Sequence, residues 1–248
     1  MKALGLFLLA CTCVLAQKLP AQDARALIDA TVAAVGGSDA LHRLGDVQYT
    51  YRWADGQSLE RYIFDGETSY GRDRTADGQL REQYYNGRSI TVLLDGQIIR
   101  DTTEIKSAFF RRKTNYYWLA MMHKLDDPGV THAYAGTQEV EGILYHRVDV
   151  TFDDGVGVAQ DRYRLYINPA THLVDQFLYT VAAAGRMNPT LMRYTYGSFA
   201  DGVRLPVISR SHPALDWDAT LDPAGKWSAR YREDFRFGTG FTPETIRQ

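Results

Sequence analysis

Apolar positions follow two different periods along this chain. Between Asp23 and Val35 they recur at helical spacing, with Leu27, Ile28, Val32 and Val35 on one side. Asp23 stands where an N-cap belongs, and Gly36-Gly37 stops the run. Ser38-Asp39 predicts the cap of a short second turn that carries Leu41 and Leu44 inward. At Val47 the period drops to two: Val47, Tyr49, Tyr51 and Trp53 alternate with Gln48, Thr50 and Arg52, which predicts a half-buried strand with an aromatic face. Asp55-Gly56, Asp65-Gly66, Asp77-Gly78, Asn86-Gly87 and Asp95-Gly96 then follow at hairpin spacing. Such pairs tolerate positive φ and suit the tight turns whose twist matches paired strands. With the strand-like segments Arg61–Phe64, Gln83–Tyr85 and Ile90–Leu94 between them, they predict an antiparallel meander.

Glu104 interrupts that pattern. From 104 to 125 the only turn residue is Asn115, and Ile105, Phe109, Arg112 and Tyr116 fall on one helical side, so a helical insert is expected, jointed at Lys113-Thr114-Asn115 and ended by Asp127-Pro128-Gly129. Strand signals resume at Thr137–Glu141, Leu144–Phe152, Asp161–Ile167, Leu173–Val181, Leu191–Phe199, Val203–Ser211 and Lys226–Phe237. The expected fold class is mainly β with an α insert. It is a curved antiparallel meander, or half-open β-barrel, of about 11 strands, with the N-terminal helix and the insert over its concave face. Neither a Ser/Pro/Gly-rich linker nor a change of charge divides residues 17–248, read as one half-barrel domain, and the strands do not repeat as propeller blades do.

The first residues read as an address. Lys2 is followed by an apolar run from Ala3 to Leu15 and by Val14-Leu15-Ala16, the layout of a secretory signal peptide spanning 1–16. The run is about 13 residues, short of the ~20 that a membrane-spanning helix needs. Leu8-Leu9-Ala10-Cys11 offers a second reading, a lipobox with Cys11 acylated and anchored to the outer membrane. Either way the protein is expected to be exported, to the periplasm or beyond. Cys11 and Cys13 are its only cysteines, so cleavage after Ala16 leaves a chain without disulfide or thiolate chemistry.

Composition narrows the function classes. With 45% hydrophobic and 23% charged residues the chain is globular, and its net charge of −2 argues against a nucleic-acid partner. Arg61, Arg81, Arg162 and Arg164 interrupt too many strands for a lipid-facing barrel. The chain also carries no Gly-x-Ser-x-Gly, P-loop, dinucleotide fingerprint or His-Glu-x-x-His, its six histidines are scattered, and most aspartates belong to turns. Neither a catalytic set, a metal set nor a cofactor is therefore expected. Asp126-Asp127 and Asp153-Asp154 lack calcium-loop spacing, and Glu139 with Glu141 reads as a solvated strand face.

Several segments resemble a known family. The helix ending in Val35-Gly36-Gly37, the stretch from Tyr116-Tyr117-Trp118 to His123-Lys124-Leu125-Asp126-Asp127-Pro128-Gly129, and the segments Tyr145-His146-Arg147-Val148 and Tyr166-Ile167-Asn168-Pro169-Ala170-Thr171 resemble an uncharacterised family of exported bacterial proteins. That family is met mostly in Bacteroidota and is known as a domain of unknown function, and the likeness runs over most of the mature chain. The succession of helix, long meander and helical insert also resembles, more distantly, the Lol-type periplasmic lipoprotein carriers and their mycobacterial lipid-carrying relatives. That likeness implies an unclosed barrel with an apolar cavity for acyl chains, and it concerns the fold alone.

The candidate ligand wall is therefore aromatic. Phe109, Phe110, Tyr117, Trp118, Met121 and Met122 crowd the insert beyond what one helix face holds, and Tyr49, Tyr51 and Trp53 form a row on the first strand. The leading expectation is an envelope protein that binds or carries an apolar ligand, a lipid or the acyl chain of a lipidated protein, between curved sheet and helices. A carboxylate-dependent hydrolase or carbohydrate-active enzyme and a ligand-free envelope scaffold are the alternatives. Arg111-Arg112-Lys113 reads as a solvated basic face, with contact to acidic head groups as its second reading.

Overall fold

The structure, a computed structural model, describes residues 23–154, 161–181 and 186–248. The leader expected at 1–16, with both cysteines, lies outside the described residues. Two helices come first, α1 (Ala24–Ala34) and α2 (Ala40–Leu44); Asp23 caps α1 by accepting from the Arg25 N–H. There follow β1 (Asp46–Trp53), β2 (Gly56–Ile63), β3 (Thr68–Arg74), β4 (Leu80–Asn86), β5 (Ile90–Leu94) and β6 (Gln97–Ile98). Helix α3 (Thr102–Ala120) separates these from β7 (Val130–Val140), β8 (Ile143–Phe152), β9 (Tyr163–Ile167), β10 (Val174–Val181), β11 (Arg186–Ser198), β12 (Arg204–Pro213) and β13 (Ser228–Phe237).

All 13 strands belong to one antiparallel sheet, in the spatial order β6-β5-β4-β3-β2-β1-β13-β12-β11-β10-β9-β8-β7. Two meanders, β1 to β6 and β7 to β13, are joined where β1 pairs with β13, Tyr51 standing opposite Arg232. The sheet stays open, with β6 and β7 as its edges. It exceeds the expected strand number by β3 and the two-residue β6. β3 reads Thr-Ser-Tyr-Gly-Arg-Asp-Arg, without an apolar alternation, because the positions it turns toward the helices are Ser69, Gly71 and Asp73.

Helix α3 forces the curvature. The Phe109 ring meets Tyr85 on β4 at 5.6 Å and the Tyr117 ring meets Tyr163 on β9 at 6.0 Å. Those residues lie ~12 Å apart along a helix that rises ~1.5 Å per residue. In a flat sheet β4 and β9 would be separated by ~38 Å, since neighbouring strands lie ~4.8 Å apart, so the sheet curls around the helix. α3 is one helix with no joint at 113–115, and it tightens to a 3-10 turn only at Met121–His123. Asn115 interrupts a helix when its amide competes for the backbone. Here the amide reaches the Glu60 carboxylate, at 3.5 Å, instead.

The concave interior has two apolar regions. Leu27, Ile28 and Val32 of α1 pack with Met121, Met122 and the inward residues of β8 to β11, among them Val148, Leu165 and Phe177. Val47, Tyr49, Tyr62 and Phe64 pack with Tyr116 and Leu119 of α3. On the convex side the Trp217 loop covers Tyr166, Leu178 and Leu191, and residues 238–248 lie over β1, β2 and β4.

Candidate functional site

Strand register places a polar patch inside this barrel. Tyr51, Ser58, Asp73 and Arg81 form one rung across β1 to β4, and Tyr49, Glu60, Gly71 and Gln83 form the next. Side chains two apart on a strand share a face, so these rungs point together at α3. α3 answers with Arg111, Arg112 and Asn115. Between sheet and helix lies a cleft of about 330 Å³, completed by Trp53 at the end of β1 and Arg230 on β13.

Glu60 and Arg112 sit at the bottom, with side chains 0% and 1% exposed. The Arg112 guanidinium donates both Nη groups to the two Glu60 oxygens, at 2.7 and 2.9 Å, the bidentate fork in which Arg and carboxylate match best. Ser58 Oγ donates to one of these oxygens at 2.6 Å and Tyr62 Oη to the other at 2.7 Å. Burial alone would push the Glu60 carboxyl up. The Arg112 charge and the hydrogen bonds from Arg112, Ser58 and Tyr62 outweigh it and hold the group below its ordinary value. Above this pair, Asp73 takes Nε and Nη2 of Arg81 at 3.0 and 2.5 Å and a longer contact from Arg111 Nη1 at 3.5 Å.

Gly71 makes the pair possible. A Cβ at that position would run into the Arg112 guanidinium, so only glycine lets the fork lie against β3. Gly71→Ala is expected to cost about 1–3 kcal/mol as an overpacked core, read as the loss in a urea denaturation midpoint; an unchanged midpoint would contradict the close approach.

Among the nine aromatic and methionine candidates, Tyr51 and Trp53 line the cleft. Tyr49 is stacked between Tyr62 and Phe235, Phe109 stands against Tyr85, and Phe110 is exposed. Tyr117 meets Phe152 and Tyr163, Trp118 meets Tyr179, and Met121 and Met122 are buried in the α1 region. The basic triplet is not a solvated face: Arg112 is buried, Arg111 borders the cleft and Lys113 pairs with Glu67. Glu60, Asp73, Arg81 and Arg230 carried no individual sequence signal. The common phase of the polar residues on β2, β3 and β4 follows only from the strand register. Among the described residues no three His, Cys, Asp or Glu side chains converge as a metal site requires, and no helix is long and apolar enough to cross a membrane.

Comparison with known proteins bears on the fold. Residues 83–192 match a family of unknown function, DUF6503. The matched part holds the Tyr116, His123, Tyr145 and Tyr166 segments of the sequence resemblance but not Val35-Gly36-Gly37. No curated protein sequence matches the chain. Among solved structures, a LolA superfamily protein from Nitrosomonas europaea is 13% identical, with 92% of this chain and 98% of that one covered at a TM-score of 0.53. A domain from Vibrio parahaemolyticus, provisionally assigned as an outer membrane lipoprotein-sorting protein, is 11% identical over 90% and 97%, at a TM-score of 0.54. A DUF1329 family protein from Desulfovibrio piger is 14% identical over 90% and 96%, also at 0.54. At such identities the likeness concerns architecture: the chain has the open antiparallel barrel of the LolA-like proteins, with a segment shared with a family of unknown function.

Proposed function

We propose that this protein is an exported binding or carrier protein that holds an amphipathic ligand, a lipid or the acyl group of a lipidated protein, between its curved sheet and α3. The observation that carries the proposal is the cleft. Its volume of about 330 Å³ falls in the range of small-molecule sites, and it lies on the concave face of a fold shared with lipoprotein-sorting proteins. Tyr51 and Trp53 supply its apolar contact, worth ~25 cal/mol per Å² buried before the costs of association. A scaffold without ligand has no use for such a space. A carboxylate-dependent hydrolase of the glycosidase kind needs a carboxyl that keeps its proton near neutral pH; Glu60 is held in the opposite sense and clamped by Arg112.

Native mass spectrometry of the chain exported from a bacterial host tests the proposal. The expected spectrum shows a mass above that of the polypeptide, removed by organic extraction, with lipid in the extract. A bare polypeptide mass, together with no response of a hydrophobic fluorophore, would overturn it.

A further inference from the structure

We propose that the cleft is selective for an anionic head group, a phosphate or carboxylate, gripped by Arg111 and Arg230 while Trp53 and Tyr51 take the adjoining apolar stem; this rests on the carrier reading above. Arg81, Arg111, Arg112 and Arg230 line the cleft, opposed by the carboxylates Glu60 and Asp73. Arg112 takes both oxygens of Glu60, and Arg81 takes both of Asp73. Arg111 is left with one shared oxygen at 3.5 Å. Arg230 donates only to Ser228 Oγ and the Ala229 carbonyl, at 2.7 and 3.0 Å, and has no carboxylate partner among the described residues. Two guanidinium groups thus border the same space without a counter-charge of their own.

A third cation stands behind them. Arg232, on the same face of β13 as Arg230, is 3% exposed and likewise has no carboxylate partner among the described residues. Its Nη1 reaches the Pro206 carbonyl and Ser209 Oγ at 3.2 and 3.4 Å, its guanidinium lies 5.2 Å from the Tyr51 ring centroid, and its Nε has no hydrogen-bond partner. A buried charge is retained where something compensates it. Around this cleft the protein supplies too few anions, so the balance is left for an occupant. Arg111 responds to the same imbalance: burial first, then repulsion from Arg81, lowers its proton affinity. Lys113 and Lys124, outside the cleft, are matched by Glu67 and Asp127. Within the cleft the unmatched guanidinium groups lie beside the two rings that would receive an alkyl stem.

Dodecyl phosphate, dodecyl maltoside and inorganic phosphate, titrated below micelle concentrations against Trp fluorescence and by calorimetry, separate the outcomes. The expected result is dodecyl phosphate binding at least about tenfold tighter than dodecyl maltoside, the size of one charge-assisted hydrogen bond. Arg111→Gln/Arg230→Gln should then lose about 10–100-fold for dodecyl phosphate alone, with an unchanged melting temperature. Equal affinity for the two amphiphiles in both proteins overturns the anion selectivity and leaves the carrier reading standing. Inorganic phosphate bound without either amphiphile keeps the anion site, names free phosphate as its source and overturns the carrier reading. Binding of none of the three overturns both.

Discussion

Replacing Arg112 with methionine should lower the unfolding free energy by about 3–5 kcal/mol, the usual cost of removing one partner from a buried ion pair. The cost is that large because Glu60 would remain in a fully buried place with a charge that Ser58 and Tyr62 alone cannot compensate. The pH dependence gives the sharper check. In the native protein the folded Glu60 carboxyl lies below its ordinary value of 4.5, so the unfolded chain binds the extra proton and stability is lost as pH falls below that value. In Arg112→Met burial is opposed only by the Ser58 and Tyr62 hydrogen bonds, and the folded value rises above the unfolded one. The variant should then gain stability as pH is lowered from neutral, and the two slopes have opposite signs. Glu60→Gln/Arg112→Met, which removes both charges of the pair, should recover most of the loss. Urea titrations between pH 4 and 7 read all three proteins. A loss under about 1 kcal/mol for Arg112→Met, in the range of exposed pairs, or parallel pH slopes, would mean that the pair is not sealed from water.

The same pair explains what the sequence could and could not disclose. β1 and β8 are legible because alternate residues are apolar and the Asp55-Gly56 and Glu141-Gly142 pairs mark reversals beside them. β3 escapes because Ser69, Gly71 and Asp73 occupy the inward positions that elsewhere hold Val, Tyr or Leu. Polarity on an inward strand face looks like solvent exposure until the register shows three neighbouring strands polar in the same phase. Arg112 is hidden for a similar reason. Its helical spacing with Tyr116 put it on the packing side, yet a basic triplet reads as solvated unless its acceptor is known, and Glu60 lies 52 residues away on β2. The aromatic crowding of the insert was visible, and so was its excess over one helix face. What spacing could not tell is that the two sides serve different halves of one curled sheet, Phe109 and Tyr116 toward β2 and β4, Tyr117 and Trp118 toward β8 to β10.

The convex face depends on a different buried carboxylate. Asp46, 4% exposed, accepts from Thr239 N and Oγ1, at 2.9 and 2.6 Å, through one oxygen and from Gly240 N and Phe241 N, at 2.8 and 3.0 Å, through the other. The strap so anchored runs on to Pro243, whose carbonyl accepts from Tyr84 Oη, and to Ile246, fully buried, whose carbonyl accepts from Arg61. Hydrogen bonds to a charged acceptor are worth about 1.5–3 kcal/mol each and are not additive. A buried Ile contributes about 1.5–3 kcal/mol more. Asp46→Ala should therefore cost about 2–4 kcal/mol, limited by the strap's freedom to detach and regain water. Detachment gives the test its signature: amide exchange and proteolytic cleavage should rise across 238–248 while α3 keeps its protection. Arg112→Met should do the reverse, loosening α3 from β2 and leaving the strap protected. If Asp46→Ala instead deprotects α3 and strap together, the concave and convex faces unfold as one cooperative unit, and ligand release from the cleft could not be uncoupled from the strap.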